Sequence, residues 1–221
     1  MSLPDPLAAR PRHRGLPVPH LAPFFDEHMH GDDHLRFAVG SDGALGGIRY
    51  VDEVPDDRDA EGVLWIRMTP PGRATVAEMG KVHPHRQREC MLAPACQVCA
   101  TPLPADAVPW VLPLSEVAAV PAGATVRTVT PPTCLACVAP SRQLCPLLRR
   151  VGSRLCIVRS FRVWGVSGCE RGGAATVAAL TGTARTRWIP YTDTATLGRV
   201  IAEQLVVELA DLDQVDEIPP R

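Results

Sequence analysis

Two Cys-x-x-Cys pairs, Cys96-Gln97-Val98-Cys99 and Cys134-Leu135-Ala136-Cys137, constrain this chain more than any other feature in it. A two-residue spacing lets a tight turn aim both sulfurs at one ion, and two such turns supply the four thiolates of a tetrahedral zinc shell. The 34 residues between the pairs must then fold so that 96–99 meets 134–137. Four protein ligands leave no position for substrate or water, so the expected cofactor is one structural zinc ion held by Cys96, Cys99, Cys134 and Cys137.

The remaining cysteines are read against that site. Cys90 and Cys145 lie beside opposite pairs and are alternatives as ligands, although small buried hydrophobes is the simpler reading. Cys156 and Cys169 read as strand residues. Cys145 or Cys169 as a nucleophile would lack a placed histidine partner. Residues Met1-Ser2-Leu3-Pro4-Asp5-Pro6 have no apolar signal region, and no uninterrupted apolar stretch is long enough to cross a bilayer. Reduced thiols, a cytoplasmic location and no membrane partner are the expectation.

At 221 residues the chain can bury a core without the metal, while 23 prolines, 17 glycines and few aromatics call for many turns. The expected class is α+β and loop-rich, with short antiparallel strands, an embedded zinc module and a C-terminal amphipathic helix. Residues 1–23, rich in Pro and Arg, read as an extended or disordered arm. Residues 24–89 form a β-rich region, with a hairpin from Leu35–Val39 to Ile48–Val51, a solvated acidic loop at Pro55–Asp59 and a strand at Val63–Met68. A short helix over Pro84–Met91 leads into the zinc module, residues 90–150. Within that module, a strand over Val108–Leu112 and a second over Val117–Val129, interrupted at Pro121-Ala122-Gly123, are expected to pair as a hairpin. A helix then follows Cys134, with Pro140 tolerable only near its start and Pro146 ending or kinking it. Residues 151–210 hold a long strand at Leu155–Trp164, shorter strands at Ala174–Thr183 and Arg187–Tyr191, and an amphipathic helix over Thr196–Leu209 capped by Asp193 or Thr194. Residues 211–221 are an acidic tail.

A knuckle, a hairpin and a second pair at a helix start resemble the treble-clef zinc finger. The resemblance implies Cys96 and Cys99 on the knuckle and Cys134 and Cys137 on the first helical turn. One branch of that family, the HNH nucleases, adds a His-containing catalytic pair on the hairpin. Here no histidine lies between the pairs, and His83 and His85 precede the knuckle. The likeness is therefore to a scaffold without the nuclease residues. The stretches Gly80–Cys99, Arg142–Arg150 and Val163–Gly168 also resemble an uncharacterised group of double-CxxC proteins from GC-rich bacteria, which implies kinship and no mechanism.

Net formal charge is −1, but it is unevenly spread: −5 over residues 1–72, +7 over 73–162 and −3 over 163–221. The basic segment offers Arg142, Arg149, Arg150, Arg154, Arg159 and Arg162 to a nucleic acid, with Phe161 and Trp164 near enough to stack. On a strand, Arg159 and Phe161 face one way and Arg162 and Trp164 the other. The same arginines are equally suited to pair with the acidic flanks. His28, His30 and His34, with Asp32 or Asp33, are the one other constellation with ligand chemistry, and an open His/carboxylate shell would activate water as a metal-dependent hydrolase. A polar surface loop accounts for the same residues. No nucleophile elbow, P-loop or dinucleotide glycine motif is present, and Gly165, Gly168, Gly172 and Gly173 read as turns. The leading expectation is a noncatalytic, zinc-stabilised binding or regulatory protein, with nucleic acid, bound through the basic central segment, ahead of a protein partner. The alternatives are a hydrolase built on the histidines and a protein–protein adaptor.

Overall fold

The computed structural model describes residues 7–31, 34–39, 45–121, 123–171 and 186–219. In chain order the strands are β1 (Arg12–His13), β2 (Leu16–Pro17), β3 (Leu35–Val39), β4 (Leu45–Tyr50), β5 (Leu64–Trp65), β6 (Val108–Pro113), β7 (Val126–Thr128), β8 (Ser153–Glu170), β9 (Arg187–Pro190) and β10 (Val200–Ile218). The helices are α1 (Pro84–Leu92), α2 (Leu114–Val117), α3 (Leu135–Leu144) and α4 (Pro146–Val151), with a further turn at Thr194–Leu197. The α+β class stands. The expected strand at Ala174–Thr183 and residues 40–44 of the connection in the expected hairpin lie outside the described residues.

Two compact units result, and neither is continuous in sequence. The first draws on the described residues of Met1–Phe25, Arg73–Val163 and Val207–Arg221, the second on those of Asp26–Gly72 and Trp164–Val206. Both β8 and β10 contribute a part to each unit, so the divisions read from composition do not coincide with these units.

In the first unit β6 pairs antiparallel with β8, from Val108 opposite Val158 to Pro113 opposite Ser153. All six residues of β6 are buried, and Trp110 donates its indole N–H to the Thr130 carbonyl at 2.6 Å. Strand β7 pairs with β10 through Thr128 and Val207. The two strands between the cysteine pairs therefore find other partners, and the expected hairpin is corrected: α2 separates them, and each is a ladder on a long strand. Helix α1 begins at Pro84 behind His83, whose side chain accepts from the Arg86 N–H at 3.4 Å. Its inward face is Gln87, Cys90 and Met91, at helical spacing. Helix α3 stops at Cys145 because the residue before Pro146 is driven out of the helical region, here to ψ 117. Pro146 then opens α4, and Gly152 at φ 76 closes it. Pro140 sits at the sixth residue of α3, past the first turn, so the helix forgoes one backbone bond there.

The second unit contains the β3/β4 hairpin, bulged between Ala38 and Val39, the antiparallel pair β8/β9 and the parallel pair β5/β10, in register at Leu64 and Ile201. Leu35, Ile48, Tyr50, Leu64, Ile66 and Ile201 form its core. The acidic loop at Pro55–Asp59 is not simply solvated. Asp57 is 7% exposed and takes two bonds from Arg67, at 2.7 and 2.6 Å, while the guanidinium also lies 4.2 Å above the Tyr50 ring. Hydrogen bonding by Arg67 holds the Asp57 carboxyl below its ordinary range.

The C-terminal amphipathic helix is the clearest correction. Only Thr194–Leu197 is helical, capped by Asp193 through the Thr196 N–H at 3.1 Å, and from Val200 onward the chain is strand. Leu197, Val200, Ile201, Leu205 and Leu209 have helical spacing, but Val206 and Val207 fill the gaps, and Val200–Ala202 and Leu205–Leu209 are buried without alternation. A run buried on both faces suits a central strand, and its valines and isoleucine favour that state.

Candidate metal centre

Each cysteine pair is presented by a different device. Cys96–Cys99 follows α1 and closes as a knuckle: the Ala100 N–H donates to the Cys96 carbonyl at 2.8 Å, with Ala100 at φ 65, and the Cys96 N–H donates to the Thr101 carbonyl at 2.9 Å. Cys134 is the N-cap of α3 and Cys137 lies in its first turn. Gln97, inside the knuckle, joins the two. Its backbone N–H donates to the Pro132 carbonyl at 2.9 Å, and its amide donates to the Pro131 carbonyl at 2.8 Å and the Thr133 hydroxyl at 2.9 Å.

The four sulfurs all lie within 4.8 Å of one another. Tetrahedral zinc with Zn–S bonds of about 2.3 Å needs sulfurs about 3.8 Å apart, and Cys99 and Cys134 stand at 3.7 Å. The residues therefore fit a zinc ion. Cys96 and Cys137 are fully buried. Burial pushes the Cys96 thiol up to about 12, against backbone hydrogen bonds that favour its thiolate. Burial and the neighbouring sulfurs raise Cys137 as well. Cys99 is also penalised by burial, but hydrogen bonding with Thr101, whose hydroxyl oxygen lies 3.1 Å from its sulfur, and with Cys96 and Cys134 outweighs it and brings the thiol to about 7.

Cys90 is buried in α1 and its thiol is held up near 11 by desolvation. Neither it nor Cys145 enters the cluster, which among the described residues is the one group of three or more His, Cys, Asp or Glu placed to hold an ion. The histidine constellation does not converge there. His30 and His34 rings are 5.9 Å apart, whereas His28 faces Thr69, its Nδ1 3.5 Å from the hydroxyl. Asp32 and Asp33 lie outside the described residues. None of the eight cysteines is in a disulfide. Two concavities of about 150 and 260 Å³ in the first unit are lined by residues such as Val138 and Leu148, and Val126 and Leu212; neither is lined by a cysteine of the cluster. Both fall short of the roughly 300–1,000 Å³ of small-molecule sites.

Four of the six arginines read as a nucleic-acid surface have carboxylate partners in the first unit. Arg142 makes two bonds to Asp216, at 3.0 and 2.6 Å, Arg154 pairs with Glu217, Arg159 with Asp213 at 2.6 Å and Arg162 with Glu208 at 2.6 Å. Arg149 and Arg150, on α4, are exposed and make no ion pair among the described residues. Sequence reasoning missed Gln97 and Thr101 as supports of the cluster. Their position, inside the knuckle and two residues beyond it, was the available signal.

No family model matches the chain, and no curated protein or solved structure matches it. Among the described residues no helix is long and apolar enough to cross a membrane.

Proposed function

We propose that this protein is a noncatalytic binding scaffold whose four-cysteine centre holds one structural zinc ion. The observation that carries the reading is the closed cluster itself: four sulfurs at zinc-binding separation, two of them fully buried. Such a shell organises the chain around it and offers no coordination position for chemistry. Eight cysteines without a disulfide accord with a reducing, cytoplasmic location.

The partner class is read from the surface next to the centre. With Arg142, Arg154, Arg159 and Arg162 engaged internally, Arg149 and Arg150 of α4 are the two of the six arginines left outside an ion pair among the described residues, and exposed Leu144 and Leu147 lie beside them in sequence. An acidic protein segment with apolar side chains suits that composition better than a phosphate backbone, which rewards a longer basic track. Elemental analysis of protein purified without added metal or a histidine tag tests the zinc reading. One zinc per chain is expected in the wild type and none in Cys96→Ser; equal zinc content in both would overturn the ligand assignment.

A further inference from the structure

Residues 7–22, expected as an extended or disordered arm, lie against the metal module. Leu7, 7% exposed, forms one apolar cluster with Cys96 and Cys137, against which Val98, Cys99 and Cys134 also pack. The His20 and Leu21 N–H groups donate to the carbonyls of Val98 and Gln97, at 2.9 and 3.2 Å, both inside the first cysteine pair. Between these anchors the segment holds its own shape. Strands β1 and β2 pair across a two-residue turn, Arg14 at φ 50 and Gly15 at φ 80, of the kind that suits a hairpin. Arg10 Nε donates to the Val18 carbonyl at 2.9 Å. Burial, and next the Arg86 cation, lower the pKa of the Arg10 guanidinium, while the charges of Cys99 and Cys96 work the other way. Four thiolates around Zn²⁺ leave an excess negative charge, which a desolvated cation nearby offsets.

We propose that this N-terminal segment is the outer shell of the metal centre: Leu7 shields the sulfurs from water, Arg10 balances the charge of the zinc tetrathiolate, and the segment stays docked only while zinc holds the knuckle in shape. The proposal rests on the zinc reading above. Because binding couplings are reciprocal, whatever zinc contributes to docking, docking contributes to zinc affinity. Outer-shell partners of metal ligands commonly change affinity by about 10–100-fold.

The test uses the full-length, zinc-loaded protein with a chromogenic chelator as competitor. Arg10→Gln and Leu7→Ala should each weaken zinc binding about tenfold and speed its release, and Arg10→Lys should recover part of the loss by keeping the charge. Hydrogen exchange on loaded and stripped wild type supplies the second readout. Stripping should deprotect the His20 and Leu21 amides, while the Ile66 amide, which donates to Ala202 in the second unit, keeps its protection. Wild-type affinity and release rate in both Arg10→Gln and Leu7→Ala would overturn the proposal, and Arg10→Lys as weak as Arg10→Gln would overturn the charge role. A wild-type protein that holds no zinc would overturn the zinc reading instead. If stripping unfolds the whole chain, the loaded variants still decide.

Discussion

At the scale of single residues the metal centre is a set of opposed preferences. Burial favours neutral thiols at Cys96 and Cys137, whereas zinc requires thiolates. Below the raised pKa values these two sulfurs keep their protons in the metal-free protein, so zinc must displace at least those two. Affinity therefore rises with pH and falls in acid. Between pH 8 and 6 the apparent zinc affinity should drop by about 100-fold or more per pH unit, with the dependence steepening near pH 7 as Cys99 takes up its own proton. Chelator competition across that range measures it, and a flat profile would exclude thiols as the ligands. The clustering of the four cysteines was legible in the sequence because a two-residue spacing acts locally. The supports were not, since Gln97 meets Pro131 and Thr133 only after more than thirty residues have folded back.

At the scale of elements, helices whose boundaries are set by local chemistry were legible and strand partners were not. Proline at the first helical position, a capping histidine and a proline after Cys145 mark α1, α3 and α4 without reference to the rest of the chain. The glycines of β8, read as turns, lie inside the strand for a packing reason. A Cβ on Gly165 would run into the Ile189 carbonyl and stand 2.8 Å from Pro190 Cα, both on β9, while Gly80 has nothing within 4 Å. Gly165→Ala should therefore lose about 1–3 kcal/mol by overpacking against backbone that cannot yield, and Gly80→Ala much less. Urea midpoints of the two variants check this, and equal midpoints would refute the close approach.

For the whole molecule, charge is arranged in pairs more than in patches. The acidic end of β10 meets the arginines of α3 and β8, so four of the cations behind the positive surplus of residues 73–162 are paired within the first unit. If only Arg149 and Arg150 remain for an external anion, binding to a single-stranded oligonucleotide should be weak. Its affinity should fall with salt with a logarithmic slope of about −1.4, and Arg149→Ala/Arg150→Ala should abolish that dependence. A markedly steeper slope in a fluorescence-anisotropy titration would mean that the paired arginines are released to phosphate, and would return nucleic acid to first place among the partners.

By itself the sequence determined the four-cysteine cluster, the α+β class, the short helices around the centre and the long strand at Leu155–Trp164, because each follows from spacing, capping or composition over a few residues. Tertiary structure alone decided that Val200–Leu209 is a strand, since its apolar residues suit a helix face or a doubly buried strand and only neighbours on both sides select the latter. It likewise decided that the strands between the cysteine pairs ladder with β8 and β10 and that the N-terminal segment covers the knuckle. Those pairings join residues far apart in the chain, and no local property of either partner encodes the other's place.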